Sequence, residues 1–373
     1  MKEIIVLGDV EIGGGTLTDD FISDKALSNL ILELADRKHA VDLVFNGDTF
    51  DFLKCPIVVK YKRKFPRHVT EEISLQKLKL MYDAHKKVFI AMKMFAATKG
   101  KHIYFVFGNH DHDLMFPGVR EELKRIISTP LHVHFPGLKY QYKQVIAEHG
   151  HMYDYLNKID PVYWYMTYKG KRILNIPWVS LSIVSNFMYM KEAYPFMERI
   201  HPRTELFSNH SNLLKKINLK FFATVAENAI YFPLRYRFDP TYTFPKEIFR
   251  ELYRRYKNAH LDVDDVMIKF RKKVKKRKRK FKLHILGHVH ERFLDEKEGQ
   301  VFIHPGTWRD EYDLDQETLK LTPRAKSYVQ VIVDGDDLSY ELVTLPNERK
   351  VLNFDIVKMD EHSHIEMVRK EES

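Results

Sequence analysis

A single cysteine, Cys55, stands among the 373 residues. One thiol excludes an internal disulfide framework and fits a reducing interior. No stretch of about 20 purely apolar residues occurs, which argues against a transmembrane helix. No internal repeat is visible. The chain enters its first apolar run, Glu3 to Leu7, almost at once, so no signal peptide is expected. Length alone suggests two or three folding units.

What the chain does carry is a series of five clusters of metal-binding residue types. They read Gly8-Asp9-Val10-Glu11, Gly47-Asp48-Thr49-Phe50-Asp51, Gly108-Asn109-His110-Asp111, His149-Gly150-His151 and Gly287-His288-Val289-His290. The first, second, third and fifth each end an apolar run that reads as a buried strand, at residues 3–7, 42–45, 102–107 and 283–286; the fourth follows 144–147. Such runs with helical stretches between them, at 27–34 and 75–94, predict a largely buried α/β sheet. Ligands placed just past strand carboxyl ends gather at one edge, where open α/β sheets bind. A lone Gly-Asp-x-x-Asp is usually a turn, and a lone His-x-His is more often surface or core. Five in order, each at a strand end, are not explained that way.

Carboxylate oxygens and imidazole nitrogens, with no thiolate nearby, suit Mn, Fe, Zn, Co or Mg better than a soft metal. There are too many ligands for one ion and enough for two sharing a carboxylate. Two ions roughly 3.5–4 Å apart clamp a phosphoryl oxygen and generate hydroxide near neutral pH.

The motif set resembles the calcineurin-like metallophosphoesterases, over residues 1–151 and roughly 282–345. The resemblance implies an αββα sandwich of two mixed sheets flanked by helices. It implies Asp9 and His290 on a first metal, Asp48 bridging, and Asn109, His149 and His288 on a second. It also implies His110 as general acid, oriented by Asp51, and two divalent ions, with Mn²⁺ the leading identity. One position departs. Where the family usually has His, this chain has Glu11, read as a first-metal ligand that favours Mn or Mg, as a residue holding a water or another ligand, or as neither.

Between the fourth and fifth motifs lies a long insert, residues 152–281. It holds 27 Lys and Arg against 12 Asp and Glu, a net of +15, so the remainder of this +10 chain carries −5. Ile173 to Met190 is uncharged and reads as a helix that Pro177 starts. Aromatics follow at Phe221-Phe222, Ile230-Tyr231-Phe232 and 249–256, and the insert ends in a basic run at 271–280. A mostly helical cap is predicted. It either packs its own core and solvates its charges, or meets an anionic, greasy partner such as lipid headgroups.

Residues 52–70 read as a polar loop near the site, where Arg63, Arg67 and His68 are candidates for phosphate contact and solvated surface is the simpler reading. Residues 328–333 and 338–345 read as a closing hairpin, and 346–373 as a charged tail.

Four functional classes follow. The first is hydrolysis of a phosphate ester or pyrophosphate, nearest in motif to the branch that includes UDP-2,3-diacylglucosamine hydrolase, with a lipid-linked substrate and a cytoplasmic location, peripheral on the inner face of a membrane. The others are a nuclease resembling the repair exonucleases, a soluble phosphodiesterase or nucleotidase, and a non-catalytic binding protein on the same scaffold. The motifs leave physiological substrate and oligomeric state open.

Overall fold

The fold follows from apolar strands buried on both faces. In the computed structural model, which describes residues 1–127, 130–242, 281–297, 299–346 and 348–372, the strand Lys2–Leu7 is buried from Glu3 onward. Its side chains alternate, so Ile5 and Leu7 face helices while Ile4 and Val6 face a second sheet. Leu43, Phe45, Ile103 and Phe105 join the helix side, and Val44 and Val106 join the sheet side. Each aliphatic chain fully buried this way contributes about 1.5–3 kcal/mol.

Lys2–Leu7, Ala40–Asn46, Lys101–Val106 and Val133–Gly137 lie parallel in that order. The hairpin Ser327–Asp334 and Asp337–Thr344 extends this sheet antiparallel beyond Lys2–Leu7. The second sheet places Leu283–Leu286 at its centre, parallel to Val145–Glu148 and to Gln300–Pro305. Lys139–Tyr142 and Arg292–Lys297 flank it antiparallel. Val145, Ala147, Leu283, Ile285 and Ile303 pack back against Ile4, Val6 and Val44. Two mixed sheets thus pack face to face, with helices over the outer face of the six-stranded one.

Helices Asp24–Ala35, Glu71–Ala84, Lys86–Ala97 and Pro117–Ile127 cover the outer face of the six-stranded sheet. The single helical stretch read over 75–94 is two helices, interrupted at His85. Its imidazole is held between carboxylates: Nε2 lies 2.9 Å from Asp19 Oδ2 and Nδ1 2.9 Å from Asp24 Oδ1. The ring thereby ties the helix junction to the loop that follows the first strand.

The insert and the C-terminal segment share a third cluster. Helix Trp178–Ala193 begins directly after Pro177, as the sequence suggests. Phe196, Ile200, Leu206 and Leu213 of the insert bury against Tyr312, Leu314 and Leu321, with Phe354, Val357 and Ile365. A small sheet of Ile200–His201, Tyr312–Leu314, Lys320–Pro323 and Leu352–Asn353 frames it. The residues after Pro346, read above as a charged tail, thus include two packed helices, Phe354–Met359 and Glu361–Glu372. Apolar residues dock them, together with Glu361, which accepts from Phe196 N at 2.8 Å, and Arg369, which donates to Gly15 O at 3.1 Å. The basic run at 271–280 and the aromatics at 249–256 lie outside the described residues.

His85 makes stability depend on pH. Burial alone would pull its pKa down, but Asp19 and Asp24 outweigh that and push it up to about 9. A folded-state value above the unfolded one stabilises fully below about pH 6.5 and is lost as pH rises through about 9. The shift corresponds to on the order of 3 kcal/mol. His85→Gln should be destabilised most at pH 6, and its unfolding midpoint should converge toward wild type by pH 9.5. Parallel midpoint curves for the two proteins would refute the linkage.

Candidate metal centre

Three loops at the carboxyl ends of the first sheet are laced together by backbone hydrogen bonds. Glu11 N donates to Asp48 O, Ile12 N to Thr49 O and Asp51 N to Ile12 O, at 2.8–2.9 Å. Phe52 N reaches His110 O at 3.1 Å. Asp111 accepts from Gly108 N at 2.6 Å and Thr49 N at 2.9 Å, which binds the third motif to the second. From the second sheet, His288 N donates to both Asp9 oxygens at 3.0 Å, and Trp308 N donates to Asp9 O at 3.0 Å. The motifs are therefore one body.

Backbone strain is concentrated here. Asp9, Glu11, Asp48, His288 and His290 all adopt positive φ, between +42° and +79°. Such residues cost of order 1–3 kcal/mol each and persist where surroundings over-determine them. Glycine is required at Gly108, where a Cβ would fall 2.0 Å from Asp48 Oδ1. Close approach of chains explains it.

The structure brings seven of the candidate ligands into contact. On one side, His149 Nδ1 donates to the Asn46 carbonyl at 3.1 Å, leaving Nε2 turned to Asp48 Oδ2 and Asn109 Oδ1, both at 3.1 Å. Fixing one ring nitrogen this way orients the other for a metal. Asp48, His149 and His288 have donor atoms within 4.8 Å of one another. On the other side, His290 Nε2 lies 3.4 Å from Asp9 Oδ1 and 3.3 Å from Glu11 Oε1. Glu11, Asp48 and His110 form a second convergent group, and Glu11, Asp20 and Asp51 a third. His110 Nδ1 meets Asp51 Oδ1 at 2.9 Å, and its backbone N–H donates to Asp48 Oδ1 at 2.8 Å.

These acids are buried yet ionised. Burial raises the pKa of Asp9, Glu11 and Asp48, but neighbouring cations outweigh it and all three lie below their ordinary values. Asp9 pairs in this way with His149 and His290, and Glu11 with Arg309 and Lys54. His110 and His149 are pushed up to about 9: burial works against this, and the facing carboxylates, Asp51 and Asp48 first among them, prevail.

Several site residues escape the motif reading. Lys54 Nζ contacts Glu11 Oε2 at 2.8 Å, Asp20 Oδ2 at 3.0 Å and Asp51 Oδ2 at 3.1 Å. Arg309 Nη2 lies 2.9 Å from Asp20 Oδ2, and its Nη1 is 3.3 Å from His290 Nδ1. Glu311 Oε1 is 3.7 Å from His290 Nδ1, and Asp154 Oδ2 is 3.2 Å from His288 Nε2. His151, the other histidine of the fourth motif, lies buried between His149 and His112, with ring centroids 5.3 and 5.7 Å away. Asp154 follows the fourth motif closely and Arg309 the Gly-Thr-Trp turn; nearness to a motif is the signal each offered.

The loop cations serve another purpose than phosphate contact. Arg67 donates to Leu181 O at 2.6 Å and Thr241 O at 3.0 Å, and His68 Nε2 lies 2.7 Å from Asp239 Oδ2. Arg63 pairs with Glu192 at 3.3 Å. All three fasten the insert to the body, so neither phosphate binding nor simple solvation describes Arg67.

No protein-family model matches this chain, and no curated protein does. Among solved structures, a single mutant of Vps29 from Entamoeba histolytica aligns at 8% identity and TM-score 0.31, over 92% of this chain and 99% of that one. Vacuolar protein sorting 29 from Cryptosporidium parvum aligns at 9% and 0.28, over 93% and 98%. A Staphylococcus aureus protein assigned as a 5′-nucleotidase aligns at 14% and 0.31, over 100% of this chain and 58% of that one. At these scores no residue role is carried across.

Proposed function

We propose that this protein is a calcineurin-like, dinuclear-metal hydrolase of a phosphate ester or pyrophosphate. The observation that carries the reading is the convergence of Asp9, Glu11, Asp48, Asn109, His149, His288 and His290 at one sheet edge. The residues also fit cations on a second count. Glu11 Oε1, Asp20 Oδ1 and Asp51 Oδ2 are buried without a hydrogen-bond partner among the described residues. Each faces a cation of the chain instead, Glu11 Oε1 the His290 ring at 3.3 Å, Asp20 Oδ1 the Arg199 guanidinium at 3.4 Å and Asp51 Oδ2 the Lys54 ammonium at 3.1 Å, so these converging anionic oxygens sit where positive charge is favoured.

In this reading Asp9, Glu11, Asp48 and His290 hold one ion, and Asp48, Asn109, His149 and His288 the other, with Mn²⁺ favoured by the oxygen-rich set. Divalent ions there supply Lewis-acid polarisation of a phosphoryl oxygen and lower the pKa of an attacking water. The chain's own contribution is positioning and proton transfer. Asp51 holds His110 through Nδ1, which leaves Nε2 of this partly exposed ring to give a proton to the leaving oxygen. Asn46 and Asp154 orient His149 and His288 from behind.

A lipid-linked substrate is supported by the helix Ser211–Arg235. Leu213, Ile217 and Phe232 point into the body, while Leu219, Phe222, Ile230 and Leu234 form an exposed stripe on the opposite side. Lys215, Lys216 and Lys220 and then Arg235 and Arg237 bracket that stripe. Apolar residues flanked by cations suit an anionic membrane surface. Among the described residues no helix is long and apolar enough to cross one.

Asp48→Asn should abolish hydrolysis and lower bound metal to one ion or fewer per chain; full occupancy with normal turnover would sink the assignment. His110→Ala should retain metal yet lose roughly a hundred- to ten-thousand-fold in turnover. That loss should shrink for nitrophenyl esters, which need little protonation, and an equal loss across leaving groups would contradict the acid role. Phe222→Asp with Ile230→Asp should weaken binding to phosphatidylglycerol vesicles about tenfold or more, while turnover of a small soluble ester is unchanged. Unaltered vesicle binding, or tight binding and cleavage of DNA in its place, would overturn the lipid reading.

A further inference from the structure

Glu11 brings a carboxylate where the resemblance leads one to expect a neutral imidazole, and that extra buried charge has a specific answer in the fold. Lys54, three residues beyond Asp51, is 6% exposed and sends its ammonium inward. An ammonium offers three donors. Three carboxylate oxygens surround this one: Glu11 Oε2 at 2.8 Å, Asp20 Oδ2 at 3.0 Å and Asp51 Oδ2 at 3.1 Å. Nζ donates to Glu11 and Asp20 and forms an ion pair with Asp51, so this buried ammonium is turned to its carboxylates and away from a substrate. Its effect passes through its partners.

Those partners face the site with their other oxygens. Glu11 turns Oε1 toward His290 Nε2, 3.3 Å away, without a hydrogen bond among the described residues. Asp51 presents Oδ1 to His110 Nδ1 at 2.9 Å, and the same oxygen accepts the Lys54 backbone N–H at 3.0 Å. The outer shell closes from the insert. Lys191 pairs with Asp20 and with Glu198, and Glu198 Oε2 stands 3.8 Å from Lys54 Nζ.

We propose that Lys54 is a positioning residue that sets a first-metal ligand, Glu11, and the orienter of the general acid, Asp51, through one buried ammonium. The proposal rests on the dinuclear reading above. It accounts for the chain carrying Glu11: a carboxylate ligand is accommodated because Lys54 neutralises and aims it. It also makes the two functions, ion binding at the first site and protonation by His110, fail together when Lys54 is lost.

The test counts and titrates Mn²⁺ on the full chain, with hydrolysis as a second readout. Wild type should bind two ions per chain. Lys54→Met should keep the tight second-site ion within about threefold while the other weakens roughly tenfold to a hundredfold, as loss of a ligand-orienting contact does. Its turnover should fall most for poor leaving groups, with KM little changed. Lys54→Arg, which keeps the charge and changes the donor geometry, should fall between the two. Glu11→His added to Lys54→Met should recover the weakened ion, because a neutral ligand needs no compensating ammonium. If wild type binds fewer than two ions, the dinuclear reading itself fails. If wild type binds two and Lys54→Met binds both with unchanged affinity, the role of Lys54 alone is refuted. Should Lys54→Met not fold, Lys54→Arg and the double variant decide: equal weakening of both ions, or no recovery by Glu11→His, overturns the proposal.

Discussion

Five carboxylates, those of Asp9, Glu11, Asp20, Asp48 and Asp51, are buried together at one edge of two sheets, and their mutual repulsion is the constraint that the surrounding structure answers. Removing like charges from water is costly unless each is paired and hydrogen-bonded. The answer comes in layers. Backbone N–H groups of His110 and His288 point at Asp48 and Asp9; the imidazoles of His110, His149 and His290 stand opposite; and Lys54, Lys191, Arg199 and Arg309 close the outside. The remaining oxygens of Glu11, Asp20 and Asp51, without a hydrogen bond among the described residues, face His290, Arg199 and Lys54 as ion pairs at 3.1–3.4 Å.

The same constraint explains the strained loops. A ligand on a strand tip must turn sharply to point across the edge, and five candidate ligands do so at positive φ. The strain is held by cross-links of low sequence locality. Asp9 alone takes hydrogen bonds from His288, Thr307 and Trp308, nearly 300 residues away. Binding of the first strand's loop to the Gly-Thr-Trp turn brings Arg309 to the site. The end of the chain therefore completes what its beginning starts.

Much of this was legible in the sequence, and the reason is local. Strand runs are continuous apolar stretches, and a motif just past each one needs no long-range knowledge to be noticed, whereas the ligand roles of Asp9, Asp48, Asn109, His149, His288 and His290 are what the resemblance implies. What was not legible is the pairing. Lys54 and Arg309 look like ordinary solvated cations until the fold sets them against Glu11 and Asp20. Arg67 looks like a loop residue near a phosphate until the insert offers it two carbonyls. His85 reads as one more helix residue, and only its partners Asp19 and Asp24 reveal why the helix stops there. The helices after Pro346 are hidden by charge, since Phe354, Val357, Ile365 and Val368 are few among many polar neighbours.

The insert links the two scales. Its inner side is fastened by Arg67 and His68 of the body, and by Lys191 and Glu198, which enter the ion-pair shell around Glu11. Its long helix then presents apolar residues outward, at Leu219, Phe222, Ile230 and Leu234. Apolar burial at that outer stripe is non-directional and carries little specificity, whereas the inner contacts are short and charge-assisted. Through Lys191 and Glu198 the insert thus joins the ion-pair shell around Asp20, Lys54 and Glu11.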